Sequence, residues 1–385
     1  MSKIRIAVVG CGALAKGTHL KHCQMDEDIT LQVVCDTDLE NLKYCQKQFG
    51  AVRAESDWRK VIEAKDVDLC VLATHQTFRG EFIIPALKAG KPVYTEKPLA
   101  PDVDEMMEIL KVTRETKVPV CVGHNRRSSP AMLEFKRLVE KAKARRDGAL
   151  GHTVTNYVGT RERIPEENAM QLFMRINDDS RSWKNWVFWD RQGIMFGEMV
   201  HFIDIAMWMN DAKPVRAFAE GSPRGNFTLL LRFNDGSLTT MVHSMVGNFD
   251  YPKELFEFTA NYYTVTMDQH FEVKQSGFPD EQSVRTFPYA VDWANRYKGM
   301  PGYFQARDEE LVRAKKDGDA ARWLNVEKGH RSHLKRFIAH VRGKGENPCP
   351  VDSAIAVNKI ALKFLESAKL GLPVAVNPED WHLPE

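Results

Sequence analysis

Four side chains in this sequence are of the kind that moves protons. Lys97 stands in Glu96-Lys97-Pro98, directly after the short apolar run Pro92-Val93-Tyr94-Thr95. A lysine at the carboxyl end of such a strand faces the crevice where open α/β sheets bind ligands. There it can give a proton or a hydrogen bond to a reacting hydroxyl. His201 stands in Gly193-Ile194-Met195-Phe196-Gly197-Glu198-Met199-Val200-His201-Phe202-Ile203-Asp204. Histidine suits acid–base work because its pKa lies near neutrality. Asp204, three residues on, falls close to the same helical face, and Glu198 precedes the helix that begins near Val200. A zinc or iron reading of His201, His243, His270 and Glu198 lacks ligand spacing, so no metal is expected.

The chemistry needs a partner, and the first forty residues supply a place for one. Ile4 to Val9 is an apolar run that stops at Gly10-Cys11-Gly12, and a helical pattern begins near Ala13. Gly10 allows a tight turn. Gly12 has no Cβ, so a diphosphate can approach the backbone at a helix start. The third glycine of the usual fingerprint is absent; position 15 is Ala. A second apolar strand, Ile29 to Cys35, ends at Asp36, 24 residues past Gly12. A carboxylate there accepts hydrogen bonds from ribose hydroxyls and repels a 2′-phosphate. No Arg follows in Asp36-Thr37-Asp38, so NAD is expected in preference to NADP.

The elements that must position these groups alternate along the chain. Helices are expected at Asn41–Phe49, Asp57–Ala64, Arg79–Lys88 and Asp102–Thr116. Strands are expected near Val52, at Val67–Ala73, at Pro92–Thr95 and at Val118–Gly123. That order gives βαβ units and a parallel sheet. After the long helix Pro130–Ala144 the texture changes. Strands are expected at Val154–Tyr157, Val215–Glu220, Phe227–Phe233, Ser237–Ser244, Glu254–Ala260 and Tyr263–Met267. Phe227, Leu229, Leu231 and Phe233 alternate, as in a half-buried strand, and Asn234-Asp235-Gly236 is a hairpin turn. Ser276 to Asn325 has few alternations and many breakers and gives no clear element. Helices return at Lys328–Arg342 and Asp352–Ala368.

Composition bounds the function. The chain has 385 residues, 43% hydrophobic and 28% charged, with a net charge of +2, too small to argue for nucleic acid. No run reaches 18 apolar residues, so no membrane span is expected. Seven scattered cysteines without a CxxC pair suit reduced thiols and a cytoplasmic protein.

Gly10-Cys11-Gly12 with His19, Ala73-Thr74-His75-Gln76, Glu96-Lys97-Pro98 and Gly123-His124-Asn125-Arg126-Arg127 together resemble the Gfo/Idh/MocA family of sugar and polyol oxidoreductases. Gly193 to Asp204 and the helix near Asp352 extend the resemblance over nearly the whole chain. It implies an N-terminal Rossmann-type parallel sheet followed by an α+β domain with an open, mainly antiparallel sheet. The expected domains are 1–125 for the dinucleotide, 126–350 for substrate and oligomerisation, and 351–385 as a C-terminal helix and tail. Cofactor contacts are expected from Gly10, Cys11, Gly12, Ala13, Leu14, Asp36, Thr37, Ala73, Thr74, His75, Gln76, Phe78, Glu96, Lys97, Asn125 and Arg126. Lys97, His201, Glu198 and Asp204 are the catalytic candidates. The resemblance also implies a small carbohydrate substrate, and the open sheet a homodimer or homotetramer.

One position departs from the family pattern. Gly197 stands where the family has an Asp four residues before the histidine, with Glu198 beside it. Either Glu198 supplies the carboxylate or the relay differs. The competing reading is an NAD-assisted glycosidase, lyase or epimerase that passes through a transient keto-sugar. Trp183, Trp186 and Trp189, with Arg161, Arg163, Arg175, Arg181 and Arg191, suit either a sugar-binding wall or a packed interface.

Overall fold

The computed structural model describes residues 2–144, 168–183, 193–222, 225–318, 324 and 326–383. The strand expected at Val154–Tyr157 lies outside them, as do Trp186, Trp189, Arg161, Arg163 and Arg191. The chain divides into two compact units. One comprises residues 1–128, 329–359 and 382–385, and the other 129–328 and 360–381.

In the first unit, six strands form a parallel sheet: β1 (Ile4–Val9), β2 (Ile29–Cys35), β3 (Arg53–Glu55), β4 (Leu69–Leu72), β5 (Val93–Thr95) and β6 (Val120–Val122). Their order is β3-β2-β1-β4-β5-β6, the doubly wound arrangement whose strand order reverses between β1 and β4. Central parallel strands are covered on both faces, which is why β1 and β4 read as continuous apolar runs. Ile6, Ala7, Val8 and all of Leu69–Leu72 are fully buried. Val52 lies one residue outside β3, its N–H bonded to Leu31 O at 3.0 Å. The helices start where a side chain can cap them. Asp38 accepts from the N–H groups of Glu40 and Asn41 ahead of Leu39–Phe49, and Asp102 accepts from Glu105 ahead of Val103–Thr116.

The second unit holds a nine-stranded sheet of β7 (Gln171–Asn177), β8 (Pro214–Gly221), β9 (Phe227–Phe233), β10 (Leu238–Ser244), β11 (Glu254–Ala260), β12 (Tyr263–Asp268), β13 (Glu272–Ser276), β14 (Val284–Thr286) and β15 (Val374–Ala375). The order is β14-β13-β12-β11-β7-β10-β9-β8-β15, antiparallel throughout except for β7 beside β10. Phe227, Leu229, Leu231 and Phe233 do face inward, and the turn at Gly236 (φ +88°) pairs β9 with β10. The helices Pro130–Ala144 and Val200–Met209 supply the core partners. Phe135 and Phe202 pack on Phe256, with ring centroids 6.3 and 6.1 Å away. The fold class expected from sequence therefore holds in both units.

Four strands, β7, β13, β14 and β15, have no counterpart in the sequence expectations. The helix Gly299–Asp317, inside the stretch that gave no clear element, has none either. Its buried face is Gly302, Tyr303, Ala306, Glu310 and Ala314, a stripe at helical spacing in which Tyr303 is the one large side chain and the rest are small or charged. Pro301 falls in its first turn, where proline is tolerated.

Candidate cofactor and catalytic site

The end of β1 is shaped by one close approach. Gly10 has φ +88°, and a Cβ there would lie 2.9 Å from the backbone carbonyl of Ala73, at the end of β4. Only glycine fits. Gly12 is different: a Cβ on it would meet no atom within 4 Å. The protein's own packing does not require that glycine, and an open backbone at this turn is what a diphosphate needs. Gly12, Ala13 and Leu14 are exposed, and Cys11 is buried beneath them. Burial holds the Cys11 thiol protonated, well above its ordinary range.

Asp36 closes the turn from β2. Its Oδ2 accepts the Cys11 N–H at 2.7 Å and the Asn41 side-chain amide at 3.3 Å, and its Oδ1 accepts the Asp38 N–H at 3.0 Å. A carboxylate offers about four acceptor sites, so room for a further donor remains. Thr37 is exposed beside it. After β4, Ala73, Thr74 and Gln76 are half-buried and His75 is exposed; His75 Nδ1 lies 3.0 Å from Thr77 Oγ1. Phe78 packs edge-on against Trp58 at 5.8 Å. Arg79 is buried behind this loop and donates to Thr74 O at 3.2 Å. Burial lowers its pKa to about 10, against the pull of Glu96 and Glu105.

At the end of β5, Lys97 is half-buried and Glu96 fully so. Glu96 Oε1 lies 2.7 Å from His19 Nε2. His19 is carried there by a π-turn, Ala15–His19, at the head of the first helix. Such turns re-aim side chains that a regular helix would send elsewhere. Glu96 Oε2 sits so close to Gly123 that a Cβ there would be 3.0 Å away. Burial opposes ionisation of Glu96, but the hydrogen bond to His19, with the Arg79 guanidinium nearby, wins, bringing it to about 2. Asn125 and Arg126 are buried after β6, and the Asn125 amide lies 3.4 Å from His330 Nδ1. Burial pushes His330 down to about 3. Arg79 and His330 are the polar groups here that sequence reasoning passed over; neither belongs to a local motif.

In the second unit, His201 and Asp204 lie on Val200–Met209, a helix buried on nearly all sides. A π-turn, Met195–Met199, leads into it. Glu198, in that turn, is bound by Lys253 at 2.5 Å.

Residues 4–124 match the model of the Gfo/Idh/MocA oxidoreductase family, described as an NAD-binding Rossmann fold. Myo-inositol 2-dehydrogenase of Thermotoga maritima is 23% identical over 309 residues, covering 77% of this chain and 84% of that one. A crystal structure of an oxidoreductase from Agrobacterium radiobacter, in complex with NAD+, L-tartaric acid and magnesium, superposes with a TM-score of 0.75 at 17% identity, covering 97% of this chain and 98% of that one. A levoglucosan dehydrogenase in complex with NADH and L-sorbose gives 0.72 at 17% identity, covering 98% of this chain and all of that one, at 100%. These structural likenesses carry the fold.

Proposed function

We propose, from the premise that this chain belongs to the Gfo/Idh/MocA family of NAD-dependent oxidoreductases, that it oxidises a hydroxyl carbon of a sugar, polyol or glycoside. The observation that carries this is the turn at Gly12, open where the fold's own packing needs no glycine, with Asp36 fixed beside it. Gly10 to Leu14 hold the diphosphate, and Asp36 with Thr37 holds the adenosine ribose. Ala73 to Gln76, Phe78, Glu96, Lys97, Asn125 and Arg126 complete the cofactor contacts. Bound NAD supplies the hydride acceptor.

The protein's residues manage the proton. Lys97 donates a hydrogen bond to the reacting oxygen. His201 takes the hydroxyl proton as hydride leaves and gives it back in the reverse direction, and Asp204, on the same helix, orients it. Glu198, in the turn that leads into this helix, is held by Lys253. Two of the three proteins named above are dehydrogenases, which supports net oxidation over a transient redox cycle.

The open face of the second sheet supports self-association. Phe173 and Val242, on neighbouring strands, are 36% and 37% exposed. Apolar patches of this kind favour burial against a partner. A homodimer or homotetramer is the reading, and sedimentation that finds monomer alone would remove it. All seven cysteines are free and buried, which supports a reducing, cytoplasmic location. Among the described residues no helix is long and apolar enough to cross a membrane.

The test is direct. The purified chain is offered NAD with a panel of inositols, hexoses, anhydrosugars and sugar acids, and NADH formation is followed. Net NADH with a polyhydroxylated substrate is expected, as is tighter binding of NAD than NADP. Product formed without NADH would favour the transient cycle. Equal affinity for the two cofactors would remove the ribose role of Asp36.

A further inference from the structure

Lys253 and Glu254 are neighbours at the entrance to β11, and both are buried. Successive side chains of an extended chain leave on opposite sides, and these two serve different groups. Glu254 binds His270 through Oε2 at 2.9 Å and Lys328 through Oε1 at 3.1 Å, and His270 meets the Ser129 hydroxyl at 2.9 Å. Lys253 Nζ lies 2.5 Å from Glu198 Oε1 and 2.6 Å from Asp178 Oδ1. Asp178 Oδ2 in turn lies 3.1 Å from His243 Nε2, and His243 Nδ1 lies 3.3 Å from Gly225 O.

The Lys253 group is out of water. Its side chains are 10% exposed for Lys253, 13% for Glu198 and 0% for Asp178 and His243. Burying charges in this way is unfavourable, and apolar side chains of similar volume often stabilise a fold more. Stability alone therefore does not account for the group; its geometry does. Asp178 follows β7, His243 belongs to β10 and Lys253 precedes β11, three strands adjacent in the sheet. Backbone bonds lock their ends together: Asn177 N–H to Lys253 O at 2.8 Å and Asp178 N–H to Ser244 O at 2.7 Å. The fourth member, Glu198, comes from the π-turn Met195–Met199. That form of helix is rare and recurs at functional sites. It leads straight into Val200, one residue before His201.

We propose that Lys253, backed by Asp178, is a positioning residue for the oxidation. It grips Glu198 and so fixes the π-turn that aims His201. Glu198 is the handle of this device; it carries no proton to or from substrate. The inference rests on the reading of His201 as the base.

The experiment compares Glu198→Ala, Glu198→Gln, Lys253→Met and Lys253→Arg in the full chain. Steady-state kinetics on the substrate that the panel identifies are read together with the assigned His201 ring signals in NMR spectra. Misplacing a reacting group by about an ångström can cost on the order of 100-fold. Glu198→Ala and Lys253→Met are expected to lower kcat by about 10- to 100-fold, to shift the His201 ring signals and to leave NAD affinity unchanged. Glu198→Gln keeps an oxygen for Lys253, and Lys253→Arg keeps the cation; each is expected to restore most of the loss, with the pH profile of kcat/KM keeping its shape. Should Lys253→Met fail to fold, the Glu198 pair decides the question.

Glu198→Gln as damaging as Glu198→Ala, with a limb of the pH profile lost and the ring signals unmoved, would overturn the proposal. It would make Glu198 the proton carrier. Unchanged ring signals and kcat in Glu198→Ala would overturn it as well. The ring signals need no substrate, so they report on the tether even if no polyol is oxidised, which would instead count against the functional reading.

Discussion

The two sheets keep their charged groups in different places. In the parallel sheet, Asp36, Glu96 and Lys97 follow the carboxyl ends of strands, and the partners of Asp36 are mostly main-chain N–H groups a few residues away or across the first turn. In the mixed sheet, charges are drawn into buried clusters that knit strand ends together: Lys253 with Asp178 and Glu198, and Glu254 with His270 and Lys328. The first arrangement leaves Asp36 and Lys97 half-buried at the strand ends, at the proposed cofactor site, with Glu96 buried against His19; the second spends its charges on internal geometry. Substitutions in the two should therefore fail differently.

The largest effects test that contrast. Lys97→Ala is expected to lower kcat by about 10²- to 10⁴-fold, the usual worth of a general acid–base group, far more than it weakens NAD binding, with the melting temperature nearly unchanged. Glu254→Gln breaks a buried pair from one side and is expected to lower unfolding stability by about 3 kcal/mol, with NAD affinity unchanged. Steady-state kinetics, calorimetric titration and chemical denaturation check both. A Lys97→Ala protein with near-normal turnover would erase the distinction from one side. A Glu254→Gln protein of full stability would erase it from the other.

Next in size is a pH dependence within the parallel unit. Burial holds His330 and His333 near 3, against 6.5 for the free side chain. They are neutral in the fold and take up protons in the unfolded chain once pH drops below 6.5. The unfolded state then binds more protons, so stability falls as pH goes from 6.5 towards 3. Glu96, near 2 against 4.5, adds a loss of the same sign between 4.5 and 2. Each group contributes up to about 1.4 kcal/mol per pH unit inside its window. Denaturation measured between about pH 7 and about pH 5 should show a slope that His330→Gln makes shallower. An unchanged slope would mean that His330 is not held neutral.

The same contrast explains what the sequence made legible. Gly10, Gly12 and Asp36 are recognisable because turn, helix start and ribose acid fall within one strand–helix–strand unit. Lys97 is recognisable because its motif is three residues long. Lys253 stands 55 residues from Glu198, and nothing near either one announces the other. His330 follows Gly329 at a helix start, which signals a boundary rather than a burial beside Asn125. The helix Gly299–Asp317 was hidden because its buried face has one large side chain, Tyr303, and otherwise Gly302, Ala306, Glu310 and Ala314 where leucines usually mark the packing. Tertiary partners decide all three cases, and periodicity carries no record of them.

The smallest effects come from the two glycines, and they sharpen the comparison within a single turn. Gly10→Ala puts a Cβ 2.9 Å from the Ala73 backbone at a positive φ, so the fold itself must give way. A loss of about 1–3 kcal/mol in stability is expected, with cofactor binding weakened as a consequence. Gly12→Ala puts its Cβ into open space, at an ordinary φ. Its effect on stability should stay within about 0.5 kcal/mol, as for surface substitutions. Its effect on NAD should not be silent, because the new methyl group stands where the diphosphate approaches the backbone. Denaturation paired with NAD titration of both variants separates the two roles. If Gly12→Ala bound NAD as tightly as the unaltered protein, the open turn would not be the diphosphate site. The glycine would then be an accident of a permissive loop, and Asp36 would have to carry cofactor recognition from the ribose side alone.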